Sequence, residues 1–100
     1  MKLNELINIF EHYSENTDES LKFERIENPS TKCPDLLAFM LLDKLIPSDN
    51  DIISAAEHDV IYLQTDINAL AEVITEADCL TLIRCGVFYD SGYECLYMFT

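Results

Sequence analysis

The side chains in this 100-residue chain with chemical potential are its carboxylates, its cysteines and one cluster, Glu57-His58-Asp59. Three adjacent titratable groups would suit proton transfer only if they converged on one substrate atom. Neighbours in sequence point apart, and no Ser or Cys nucleophile is tied to them by a local signature, so a solvated helix end accounts for them better. Cys33, Cys79, Cys85 and Cys95 show no C-x-x-C spacing, and His12 and His58 stand apart from them. Zinc sites usually bring their ligands in close pairs, so no metal is expected and the thiols should be free. Cys79 and Cys85 fall in an apolar helical pattern, which favours packing over nucleophilic attack. The two glycines, Gly86 and Gly92, are taken by a helix stop and a turn, leaving none for a phosphate-binding loop. The expected protein is not an enzyme and needs no cofactor.

Charge is the stronger signal. Nineteen acids against six bases give a formal net charge of −13, which argues against nucleic acid or an anionic membrane as a direct partner. The excess is also segregated. From Leu45 to Ile83 there are eight acids, Asp49, Asp51, Glu57, Asp59, Asp66, Glu72, Glu76 and Asp78, and no Lys or Arg. Such acids keep a small hydrophobic protein soluble, but a solubilising surface can mix both signs. Fixed carboxylates without interspersed bases can instead imitate a run of phosphates and occupy a basic groove, with fast, salt-sensitive association. The segment LAEVITEADCLTLIRCGV, Leu70 to Val87, has the look of a helix-turn-helix, but Arg84 is its only base, which argues against a DNA-recognition helix.

The elements that would carry these groups follow from periodicity. Leu3, Leu6, Ile7, Phe10 and Tyr13 recur at helical spacing, predicting a helix from about Leu3 to Ser14. Leu21, Phe23 and Ile26 are set among Lys22, Glu24 and Arg25, which resembles a short strand. From Cys33 to Pro47 nearly every position is apolar, which predicts a helix covered on nearly every side, the centre of the fold; it is shorter than the ~20 apolar residues of a membrane span. Ser48-Asp49-Asn50-Asp51 offers caps for a short helix through Ile52, Ile53, Ala55 and Ala56. Val60 to Leu63 has strand composition. Asp66 opens a helix through Ile67, Leu70, Ala71 and Ile74, and Thr75 with Asp78 forms a capping box for another, which ends at Gly86.

The remaining segment, VFYDSGYECLYMFT, predicts a hairpin turning at Asp90-Ser91-Gly92; if Ser91-Gly92 is a two-residue loop, Phe88 lies opposite Cys95 and Val87 opposite Leu96. Phe88, Tyr93, Cys95, Tyr97 and Phe99 then share one face, and Val87, Tyr89, Leu96 and Met98 the other. Both faces are largely apolar, so loops cover the second or a partner does. The expected fold is a single α+β domain over residues 1–100, with four to five helices packed on an antiparallel sheet of three strands or more that ends in a C-terminal hairpin.

The segment ITEADCLTLIRCGVFYDSGYECLYMF, Ile74 to Phe99, resembles the ending of small acidic proteins encoded by phages and prophages. The resemblance covers about a quarter of the chain and implies a mobile-element setting, where such proteins often inhibit host nucleases, polymerases, restriction enzymes or CRISPR complexes. It carries no site residue. The expected function is therefore binding and inhibition of a basic, nucleic-acid-binding protein by DNA mimicry through the eight acids. The alternatives are an immunity or antitoxin-like partner of a basic toxin, and a homo-oligomeric module, such as a homodimer, joined through Phe88, Tyr93, Tyr97 and Phe99. Met1-Lys2 leads straight into an amphipathic pattern rather than a signal peptide, so the expected compartment is the cytoplasm.

Overall fold

The structure is a computed structural model that describes residues 1–49 and 51–99. Among these, α1 (Leu3–Glu15), α2 (Pro34–Leu45), α3 (Ile67–Val73) and α4 (Glu76–Cys85) combine with β1 (Ile53–Glu57), β2 (Val60–Leu63), β3 (Val87–Asp90) and β4 (Cys95–Phe99). The strands form one antiparallel sheet in the order β1-β2-β4-β3, so the fold is α+β with a C-terminal strand hairpin.

Local signals set the helix ends. Pro34 occupies the first turn of α2, where its missing N–H costs nothing. Asp66 caps α3 by accepting from the N–H groups of Asn68 at 2.9 Å and Ala69 at 3.3 Å. Thr75 and Asp78 make a reciprocal box at α4, Asp78 N donating to Thr75 Oγ1 at 3.1 Å and Thr75 N to Asp78 Oδ2 at 3.3 Å. Gly86 ends α4 in the left-handed region at φ 98°, and a Cβ there would sit 2.6 Å from Leu21 Cδ2.

The centre of the molecule is α4, not α2. Cys79, Leu82 and Ile83 are fully buried and Cys85 nearly so, and α1, α2, β3 and the 3-10 turn at Phe23–Arg25 all pack on this helix. The expectation that the apolar run from Cys33 to Pro47 is covered on nearly every side is corrected. Only Ala38 and Leu42 of α2 are buried, one stripe laid on α4, while Leu36 and Met40 remain 46% and 47% exposed. Composition sets how much of a helix can be buried; the surrounding elements set how much is.

Two further expectations are corrected. Residues 21–26 are not a strand. Leu21 is left-handed at φ 63°, its N–H donates to Ile83 O at 3.2 Å, and Phe23–Arg25 coils into a 3-10 turn. This segment is clamped to the end of α4 by charge, with Glu19 accepting from Arg84 Nε at 2.7 Å and also pairing with Arg25, which reaches Asp18 at 3.2 Å. Residues 52–56 are not a helix either. An isolated helical piece this short cannot offset its nucleation cost, whereas Ile53–Glu57 gains a partner strand in β2 through the two-residue turn His58-Asp59. Asn50, counted above among the cap candidates, lies outside the described residues.

The C-terminal hairpin forms with a longer loop than expected. Asp90 pairs with Cys95, and its Oδ1 accepts from the N–H groups of Gly92 at 2.8 Å and Tyr93 at 3.1 Å, holding a four-residue loop. Phe88 therefore faces Tyr97 and Val87 faces Met98. Because the register moves by two residues, the strand side chains stay on their expected faces.

Truncating the core of α4 should cost far more than truncating α2. Leu82→Ala is expected to lose ~2 to 5 kcal/mol, and Met40→Ala less than about 1 kcal/mol, in urea unfolding. Comparable losses would return α2 to the centre. Arg84 holds the Glu19 carboxyl below its usual range, Arg25 adding to the effect, so this group stabilises the fold above its unfolded pKa and stops doing so as pH falls through its folded one. The stability difference between the native protein and Glu19→Gln should accordingly be largest near neutrality and shrink below about pH 4.

Candidate functional site

The helices that pack on the sheet do so from one side. Val87, Leu96 and Met98 point into the core with Leu63, and α1 and α4 pack over β3. Among the described residues no helix covers the opposite face. Across it the register aligns Ala55, Tyr62, Tyr97 and Phe88 in one row and Glu57, Val60 and Phe99 in the next. The rings interlock: Phe88 stacks on Tyr97 at 5.5 Å between centroids, Phe99 meets both edge-on at 5.7 and 5.6 Å, and Tyr62 meets Tyr93 edge-on at 5.2 Å. Phe99 is 57% and Tyr93 70% exposed. None of the four strands contains a Lys or Arg.

At one end of this sheet a cleft of about 600 Å³ opens. The pairing of β2 with β4 reaches Tyr62 and Tyr97, and beyond that point Leu63, Gln64 and Cys95 line the gap together with Leu3 and Ile7 of α1, the start of α3, and Tyr93 and Glu94 of the hairpin loop. Tyr62, Tyr89 and Tyr93 reach it, as do Glu57, Asp66 and Glu94.

The structure disperses the eight acids singled out by sequence. Asp49 and Asp51 precede β1, Glu57 and Asp59 flank the β1–β2 turn, Asp66 caps α3, Glu72 lies on α3, and Glu76 and Asp78 open α4. All except Asp78 are exposed. Several have local work: Asp51 accepts from Ile53 N at 3.0 Å, Asp66 and Asp78 are caps, and Glu76 accepts from Tyr13 Oη at 3.2 Å. Glu57 and Asp66 meet at the cleft, where Glu94, outside the sequence window, joins them. The four aromatic residues expected as an interface gather on the hairpin face, Phe88, Tyr97 and Phe99 in mutual contact and Tyr93 against Tyr62. The cleft has no motif in the sequence. Its only sequence signal is the density of Tyr and Glu around the hairpin, and which strand ends diverge is decided by register.

His58 forms the turn of the β1–β2 hairpin in the left-handed region at φ 52°, so Glu57-His58-Asp59 is a hairpin end and not a helix end. Among the described residues no group of His, Cys, Asp and Glu is arranged to hold a metal ion, and no helix is long and apolar enough to cross a membrane. All four cysteines are free. Burial pushes the thiol of Cys79 up to about 12, with Asp78 and Glu76 adding to it, and that of Cys85 up to about 11. Both are poor nucleophiles at neutral pH.

No protein-family model, curated protein or solved structure matches this chain. The geometry by itself defines an α+β protein with one sheet face open, aromatic at its centre and acidic where it meets the cleft.

Exposure and ionisation rank the thiols. Cys33 is exposed, and Cys95 is half-buried with its thiol raised by burial and then by Asp90. In the folded protein at about pH 8 a thiol reagent should modify Cys33 first, Cys95 more slowly, and Cys79 and Cys85 only on unfolding, as read by mass spectrometry of the labelled peptides. Early labelling of either α4 cysteine would mean that the helix is not enclosed.

Proposed function

We propose that this protein binds a basic, nucleic-acid-binding partner, such as a nuclease, polymerase, restriction enzyme or CRISPR complex, and inhibits it by filling the groove that nucleic acid would enter. The observation that supports this reading is the open sheet face. It offers rings that can be desolvated at the centre of an interface, and its strands hold carboxylates but no Lys or Arg. Of the six bases in the chain, Arg25 and Arg84 are held in ion pairs with Asp18 and Glu19, which leaves four lysines against seventeen acids to meet a cationic partner.

Charge and rings have separate tasks in this reading. Dispersed carboxylates steer a basic surface toward the protein over roughly a Debye length, and the rings supply the short-range contact that charge in water does not. The same face could join two copies through Tyr93 and Phe99, but two chains of charge −13 repel as they approach. A basic partner gains from the charge that a second copy must overcome.

Capture from a host lysate, identified by mass spectrometry, should retain a basic nucleic-acid-binding protein at low salt and release it at high salt or on addition of competing DNA. Joint substitution of Asp49, Asp51, Glu57, Asp59, Glu72 and Glu76 by Asn or Gln should slow association by about tenfold or more and leave the melting temperature nearly unchanged. Asp66 and Asp78 are omitted because they cap helices. Binding indifferent to salt, to DNA and to these substitutions would exclude mimicry, and a salt-resistant dimer would assign the face to self-association.

A further inference from the structure

The cleft beside the open face is chemically one-sided. Three phenols, Tyr62, Tyr89 and Tyr93, and three carboxylates, Glu57, Asp66 and Glu94, reach into about 600 Å³, and no Lys, Arg or His is among the described residues lining it. Each aromatic face attracts a cation through its quadrupole, and carboxylates nearby add directly to that attraction. Leu3, Ile7, Leu63 and Ile67 supply its apolar lining. Two of these phenols are harder to ionise here than in water. Tyr62 ionises less readily than a free tyrosine because of burial first and then Tyr93, Asp90 and Glu57, and Tyr89 because of burial first and then Glu94.

We propose that this cleft receives an arginine side chain of the protein partner, its guanidinium against the rings of Tyr62 and Tyr93 and paired with Glu57 or Glu94. Arginine fits this lining better than lysine because its planar, weakly hydrated head stacks on rings while its edge donates in parallel to carboxylates. An ammonium would surrender more hydration for fewer directed bonds. Asp66 contributes charge, but its Oδ1 is committed to the first turn of α3. The inference rests on the reading of the protein as a receptor for a basic partner, and it names the residue type that enters.

The test uses the full chain and small probes, with tyrosine emission as the readout, since the protein has five tyrosines and no tryptophan. Nα-acetylargininamide should give a saturable change with a midpoint on the order of 1 to 10 mM. The lysine counterpart should bind about fivefold or more weakly, and the neutral citrulline counterpart should give no saturable change. Glu57→Gln with Glu94→Gln, and separately Tyr93→Ala, should each weaken the arginine probe by about fivefold or more while the circular dichroism melt stays in place. Equal binding of citrulline and arginine, no saturable binding, or indifference to both sets of substitutions would overturn the assignment. If the arginine probe fails while salt- and DNA-sensitive capture of a basic protein persists, the pocket assignment falls and the wider reading stands. If the probe binds but no basic protein is captured, the wider reading falls and the cleft is no longer assigned to a partner's side chain.

Discussion

The enclosure of α4 is the constraint on which the remaining geometry depends. A ten-residue helix with Cys79, Leu82, Ile83 and Cys85 all buried must be covered over much of its circumference, and α1, α2, β3 and the 3-10 turn supply that cover. Its last carbonyls must also be satisfied. Gly86 turns back to donate to Ile83 O at 3.0 Å, and Leu21 donates to the same oxygen from the other side. The Glu19, Arg25 and Arg84 charges then hold residues 18–25 against this end, so two of the chain's few cations are used to close the helical layer.

Covering α4 determines what is left open. With the helices gathered on one side, the sheet has one face in the core and one in solvent, an arrangement antiparallel sheets tolerate. Such faces usually carry polar side chains. Here Tyr62, Phe88, Tyr97 and Phe99 occupy it and shield one another by edge and face contacts. On the proposed reading, net negative charge around this aromatic surface opposes the approach of a second copy and favours a partner of opposite sign.

The edges of the sheet are treated differently from its face. The edge strand β1 carries a register irregularity between Ile53 and Ala55, and Ser54 Oγ donates to Tyr62 O at 3.2 Å across it. Bulged edges resist pairing with further strands. The cleft lies beside this irregular strand, where the divergence of β2 and β4 separates side chains that a fully paired sheet would have packed together.

Sequence alone determined what short-range physics decides. The caps at Asp66 and at Thr75 with Asp78, the proline start of α2, the glycine stop at Gly86 and the alternation that separates Val87, Tyr89, Leu96 and Met98 from Phe88, Tyr97 and Phe99 involve residues within a few positions of one another. The α+β class and the excess of acid were legible for the same reason. Tertiary structure decided the rest. Ile53–Glu57 is a strand because β2 lies beside it, residues 21–26 coil because Arg84 and Ile83 hold them, and the apolar run of α2 keeps Leu36 and Met40 in solvent because its packing is concentrated on the side toward α4. The cleft with Tyr62, Asp66 and Glu94 joins residues from β2, the cap of α3 and the hairpin loop, a meeting that depends on register and packing between segments distant in the chain.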